Sequence, residues 1–333
     1  MTEIKQMEVI THEFSLEHFN SQIEFAISNY NSHGLKADNF DNIVIGGLGG
    51  SGIGGKIAKA YFSDKSSLPI EVYSDYNLPK YTSKKSLVIL CSYSGLTEET
   101  LALYEQAKNI GCTIICISSG GDLFANATKD KYPLYVVETG YQPRMALGFS
   151  LTYNLLILGE LFGVDTKKEL VNAQSIYTDC ANYQALAKEY LEVFKGNENF
   201  KFAIVADNAT EAVGIRFCQQ IQENAKAEAF VNVLPEANHN AFETYYGELP
   251  TNFIFINSQT NARNTGRFAY LKHLLEKQNN KVVEINLVDA SIYELYKAIY
   301  ITDWISIYLA DKRDSDKMHV PNIMGLKNFL KTF

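Results

Sequence analysis

Apolar runs at 43–47, 70–74, 86–91, 112–118 and 133–137 are separated by stretches of helical period at 53–63, 97–109 and 121–128, after an amphipathic stretch at 13–30. Short apolar runs alternating with helices predict the buried strands of a parallel sheet covered on both faces. The alternation pauses over 145–162 and 166–195, which read as two helices, the second long and polar. It resumes with strand-like runs at 201–206, 229–233, 252–257 and 281–287. The second half thus repeats the architecture of the first without copying its glycine loop. The pattern predicts two doubly wound α/β domains in tandem, 1–160 and 161–311, followed by a tail over 312–333. No low-complexity linker divides them, so the halves are expected to pack closely. In the tail, the stretch from Val320 to Lys331 reads as a short helix with Ile323, Leu326 and Leu330 facing inward.

The first strand runs into IVIGGLGGSGIGGKIAKAYF, with seven glycines between Gly46 and Gly55. Three anion sites fit it. Gly47 to Gly52 satisfies G-x-G-x-x-G between a strand and a helix, and Asp75 ends a later strand, which suits a dinucleotide. Gly50 to Lys56 satisfies G-x-x-x-x-G-K, but Ile57 stands where a P-loop needs a hydroxyl for magnesium. The third possibility is a single phosphate held by helix N-terminal amides and the Ser51 hydroxyl. A tight strand-to-helix turn accounts for one or two of the glycines and leaves the others unexplained.

The run CSYSGLTEET, residues 91–100, favours the single phosphate. Ser92, Ser94 and Thr97 cluster at the carboxyl end of another strand of the same half, with Thr97 set to cap the next helix and the other two to face the crevice. Beside Gly50 and Ser51 they read as a hydroxyl-lined cradle for a small phosphorylated ligand.

Composition narrows the partners. The 333 residues suit two halves of about 150 each, and a net charge of −8 repels nucleic acid and anionic membranes, so phosphate binding has to be local. The start, MTEIKQMEVITHEF, lacks a basic segment followed by an apolar one, and no run reaches the roughly 18 apolar residues that span a bilayer. Five cysteines, an odd number without C-x-x-C, read as buried free thiols of a reducing compartment. A cytoplasmic protein with neither a nucleic-acid nor a membrane partner is expected.

The motifs GGSG and S-Y-S-G-x-T-x-E-T resemble the sugar isomerase (SIS) domain, in which the serine and threonine hydroxyls bind a sugar phosphate. Gln142-Pro143-Arg144, Ala146-Leu147-Gly148 and Pro235-Glu236-Ala237-Asn238-His239-Asn240 are similar to the bifunctional phosphoglucose/phosphomannose isomerase branch of that family. The resemblance spans nearly the whole chain as two tandem SIS domains. It implies interconversion of glucose 6-phosphate or mannose 6-phosphate with fructose 6-phosphate, in glycolysis and gluconeogenesis, without metal or other cofactor. The chemistry needs a carboxylate base between C2 and C1, an acid/base for ring opening and a cation near the developing enediolate.

Glu223 lies off the apolar stripe of Val213, Phe217 and Ile221. The family's base stands sixteen residues ahead of its histidine, which carries the role onto Glu223 ahead of His239, with Glu236 the competitor. His239, in a polar loop, is suited to move the ring proton. In the family that histidine crosses a dimer interface, which implies a homodimer with shared active sites. Arg144 is the implied enediolate cation. Lys327, in an x-L-K-x-x-L context, matches a family lysine that reaches the ring oxygen, with Lys331 one turn later as its rival. Met318-His319-Val320 lacks the threonine associated with the mannose epimer, which weights the expectation toward glucose 6-phosphate. No zinc-type His/Cys/Glu spacing is present. His12, His18, His33 and His273 read as surface or structural residues, and His319 is left open.

Overall fold

The computed structural model describes residues 10–332. Its elements run α1 (His12–Glu17), α2 (Phe19–Ser28), β1 (Asn42–Gly46), α3 (Gly49–Tyr61), β2 (Ile70–Tyr73), β3 (Ser86–Ser92), α4 (Glu98–Ile110), β4 (Thr113–Ser118), α5 (Gly121–Asp130) and β5 (Leu134–Val136). There follow α6 (Leu147–Phe162), α7 (Thr166–Ala173), α8 (Cys180–Glu192), β6 (Lys201–Asp207), α9 (Glu211–Gln220), β7 (Ala229–Leu234), β8 (Thr251–Asn257), α10 (Ala262–Glu276), β9 (Val282–Asn286), α11 (Ile292–Lys312) and α12 (Pro321–Leu330).

Each strand expected from the apolar runs forms, and every pairing is parallel. The sheets are ordered β2-β1-β3-β4-β5 and β7-β6-β8-β9, so the second repeats the strand order of the first. In such an order the crevice opens at the carboxyl ends of the two central strands. Alternate residues of each strand feed opposite faces. Ile43, Ile45, Leu87 and Ile89 of the first sheet and Phe202, Ile204, Ile254 and Ile256 of the second join α3, α6, α9 and α11 in one continuous core. Val44, Val88 and Leu90 pack against α4 and α5, and Ala203, Val205 and Phe253 against α10. The shared central core locks the two sheets together, the close packing anticipated from the sequence. All five cysteines are unpaired, and Cys91, Cys112, Cys116 and Cys218 are buried. No helix among the described residues is long and apolar enough to cross a membrane.

Three local expectations change. The 166–195 helix is interrupted by a 3-10 segment, Gln174–Asp179, whose tighter winding buries the consecutive Ile176 and Tyr177. Helix α3 begins at Gly49, so most of the glycine run is helical. Gly49 takes a left-handed φ of 52° with open space around it, and close packing accounts for others of the run: an added Cβ would lie 2.6 Å from the Pro143 carbonyl oxygen at Gly50, 2.9 Å from Ser150 Oγ at Gly54 and 2.7 Å from Ile45 Cγ2 at Gly55. Finally, α12 forms as expected, but Ile323, Leu326 and Leu330 are 42%, 57% and 48% exposed rather than inward-facing.

Candidate active site

The glycine run and the hydroxyl cluster meet at the crevice of the first sheet. The buried Ser51 Oγ accepts the Tyr93 N–H at 3.1 Å, tying the start of α3 to the turn after β3. Ser92 Oγ accepts the Gly95 N–H at 3.1 Å and lies 2.9 Å from Thr97 Oγ1, and Ser94 Oγ accepts the Leu96 N–H at 3.2 Å. Two details differ from expectation. Thr97 stands at the N-cap position of α4, but its hydroxyl bonds Ser92 rather than a helix amide, and Ser92 is buried within the turn while Ser94 is exposed. Because Ser51 and Ser94 spend acceptor lone pairs, their O–H donors remain for a phosphate oxygen, as does one donor of the Ser92–Thr97 pair.

The same crevice in the second sheet is closed from within. Asp207, at the end of β6, accepts the N–H groups of Ala209 and Thr210 at 3.1 Å on one oxygen and Ser258 N–H and Oγ–H at 3.0 and 2.6 Å on the other. The amides and hydroxyl that face an anion are here turned onto the chain's own carboxylate.

Gly50 leads directly to Arg144. The 3-10 turn Pro143–Met145 packs over it, and the buried Arg144 projects from that turn. On the other side, α9 ends in a π-helical turn, Ile221–Ala225, a wide turn that presents the neighbouring Glu223 and Asn224. Arg144 Nη1 stands 3.4 Å from Glu223 Oε2. Its Nε–H is shared between Asn224 Oδ1 at 3.2 Å and His12 Nε2 at 3.1 Å, and Nη2 donates to the Lys317 and Met318 carbonyls at 2.6 and 3.2 Å. Burial lowers the Arg144 pKa from its ordinary value, opposed by the Glu223 and Asp316 charges.

Lys226 makes a second link to the tail. Its Nζ donates to the Glu223 carbonyl at 2.5 Å and to the His319 carbonyl at 2.8 Å, and burial followed by the Arg144 charge lowers its pKa. Two cations therefore join the Glu223 turn to the main chain of 317–319. Beneath them Arg216 Nη2 donates to the Arg144 carbonyl at 3.2 Å and to Asp303 Oδ2 at 2.6 Å, where both side chains of the ion pair are buried.

Of the residues singled out from the sequence, the structure joins Gly50, Ser51, Ser92, Ser94 and Thr97 in one cradle and Arg144 to Glu223 beside it. His239 is exposed at the end of the 3-10 turn Glu236–His239, and its side chain has no hydrogen bond among the described residues. Lys327 is exposed on α12, and Glu236 is exposed beside His239. Sequence reasoning sets aside His12 and overlooks Asn224, Lys226, Arg216 and Asp303. A carboxylate inside the apolar run IYITDWISIYL is the signal that could have found Asp303.

A model of the SIS domain matches residues 39–141, and one described as the bacterial phospho-glucose isomerase C-terminal SIS domain matches 187–330. A bifunctional phosphoglucose/phosphomannose isomerase of Caldicellulosiruptor bescii is 34% identical over 313 residues, 89% of this chain and 91% of that one. A D-glucosamine-6-phosphate 4-epimerase of Sulfolobus acidocaldarius is 32% identical over 215 residues, 64% of this chain and 67% of that one. Among solved structures, the C-terminal domain of glucosamine-fructose-6-phosphate aminotransferase from Francisella tularensis aligns with a TM-score of 0.74 at 13% identity, covering 95% of this chain and 99% of that one, a likeness of fold alone.

Proposed function

We infer that this chain, which belongs to the bifunctional phosphoglucose/phosphomannose isomerase family, interconverts glucose 6-phosphate and mannose 6-phosphate with fructose 6-phosphate. The observation that carries the reading is the Arg144–Glu223 pair, standing beside Gly50 of the hydroxyl-lined cradle. A phosphate held by the Gly50 amide and by Ser51, Ser92, Ser94 and Thr97 anchors the far end of the sugar. Glu223 takes the C2 proton and returns it to C1, and Arg144 faces the oxyanion of the cis-enediolate between the two transfers. Enediolate formation needs the open-chain sugar, so His239 and Lys327 serve ring opening. His239 reaches the site from a second subunit, which accounts for its exposure here, and the enzyme works as a homodimer in the cytoplasm.

Incubation with fructose 6-phosphate, without nucleotide or metal, tests the reading. Glucose 6-phosphate is expected as the main product and mannose 6-phosphate as the lesser one, since Val320 lies in the segment where the family's threonine is missing. Absence of any aldose phosphate would refute the assignment. Glucosamine 6-phosphate assayed alongside checks the epimerase reading suggested by the Sulfolobus relative.

A further inference from the structure

We propose that His12 is a positioning residue for the reaction, holding the Arg144 guanidinium in its working orientation from the N-terminal helix pair. The proposal rests on the role given to Arg144 above. Three observations carry it. His12 is 3% exposed, and its Nε2 accepts the Arg144 Nε–H at 3.1 Å, so the imidazole bears its proton on Nδ1. The same helix pair grips the main chain of the Arg144 turn: Gln22 Nε2 and Ser15 Oγ donate to the Met145 carbonyl at 2.8 and 3.3 Å. Finally, Arg144 has carbonyl, amide and carboxylate partners on its other sides, so His12 is the acceptor that sets its rotation from the N-terminal side.

A neutral acceptor suits this place. Burial and the charges of Arg144, Arg216 and Lys317 push the His12 pKa down to about 3, so the ring adds no positive charge beside the guanidinium near neutral pH. A carboxylate there would compete with Glu223 for Arg144, whereas the imidazole orients the cation without neutralising it. Removing it leaves Nε bonded to Asn224 alone and lets the guanidinium swing toward Glu223.

The test compares His12→Gln, whose side-chain amide oxygen reaches the place of Nε2, with His12→Asn, which is too short, and His12→Phe, which has no acceptor. With fructose 6-phosphate as substrate, His12→Phe and His12→Asn are expected to lose about 10- to 100-fold in kcat with little change in KM, the size of a misplacement of about 1 Å. His12→Gln is expected to recover most of kcat, and added imidazole should partly restore a His12→Gly protein. Thermal melts followed by circular dichroism identify the folded variants, and the Gln and Asn pair carries the test if Phe does not fold. Full kcat in folded His12→Asn, or equal losses in Gln and Asn, would overturn the proposal. An Arg144→Ala protein measured in parallel separates the two readings: if it retains full kcat, the role of Arg144 fails, whereas a dead Arg144→Ala beside fully active His12 variants refutes only the role of His12.

Discussion

Arg144 and Glu223 face each other at 3.4 Å, one on the turn after the first sheet and the other on the π-helical turn after α9. The pairing supports Glu223 over Glu236 as the proposed base, since Glu236 is exposed and has no ion-pair partner among the described residues. Glu223→Gln keeps the shape and removes the proposed base. It should lower kcat by about 10²- to 10⁴-fold while sugar-phosphate binding, followed by calorimetry, persists. Glu236→Gln should retain activity, and a dead Glu236→Gln beside an active Glu223→Gln would transfer the role.

The second prediction concerns the pair beneath the site. Arg216 and Asp303 are bonded at 2.6 Å and both buried, and burial raises the Asp303 pKa against the Arg216 charge. Removing one partner strands the other, so Arg216→Met or Asp303→Leu should each cost about 3–5 kcal/mol in urea unfolding. The double variant should recover much of that loss. Additive losses would mean that the two charges are not coupled.

How much of this was legible varies with the physics behind each feature. The strands were readable because a parallel sheet buried on both faces demands uninterrupted apolar runs such as SLVILC, residues 86–91. Ser51, Ser92, Ser94 and Thr97 were readable as a group because strand order brings the carboxyl ends of β1 and β3 together. The start of α3 was not, since glycines chosen for close packing against Pro143, Ser150 and Ile45 look in sequence like glycines chosen for a turn. Nor was the exposure of α12, whose apolar stripe is the usual mark of an inward face. His12 escaped because its partner, Arg144, lies far along the chain, and no local pattern marks such a contact.

A pH dependence of stability follows from His12. Its folded pKa of about 3 lies below the ordinary 6.5, so between those values the unfolded chain binds the extra proton. This contribution is therefore fully present above about pH 6.5 and is lost as pH falls toward 3, by roughly 1 kcal/mol per pH unit. Asp303, with a raised pKa, acts in the opposite direction, so total stability alone does not isolate His12. The difference between wild type and His12→Gln does: urea midpoints measured from pH 7 to 5 should fall more steeply for wild type. Parallel curves would rule out the buried neutral imidazole.

The last prediction concerns His239, which is exposed and has no side-chain hydrogen bond among the described residues, whereas Glu223, the proposed base, pairs with Arg144. If it completes the site of a second subunit, each site draws Glu223 from one chain and His239 from the other. Glu223→Gln and His239→Ala proteins would each be inactive alone. After co-refolding in equal amounts, random pairing makes half of the dimers mixed, and each mixed dimer has one intact site, so about a quarter of wild-type activity should return. A chain that supplies both groups to its own site would give no recovery, because every site would still lack one of them. Giving the two variants different affinity tags and isolating dimers that carry both establishes that exchange has taken place, so absence of activity in those mixed dimers would confine the site to a single chain.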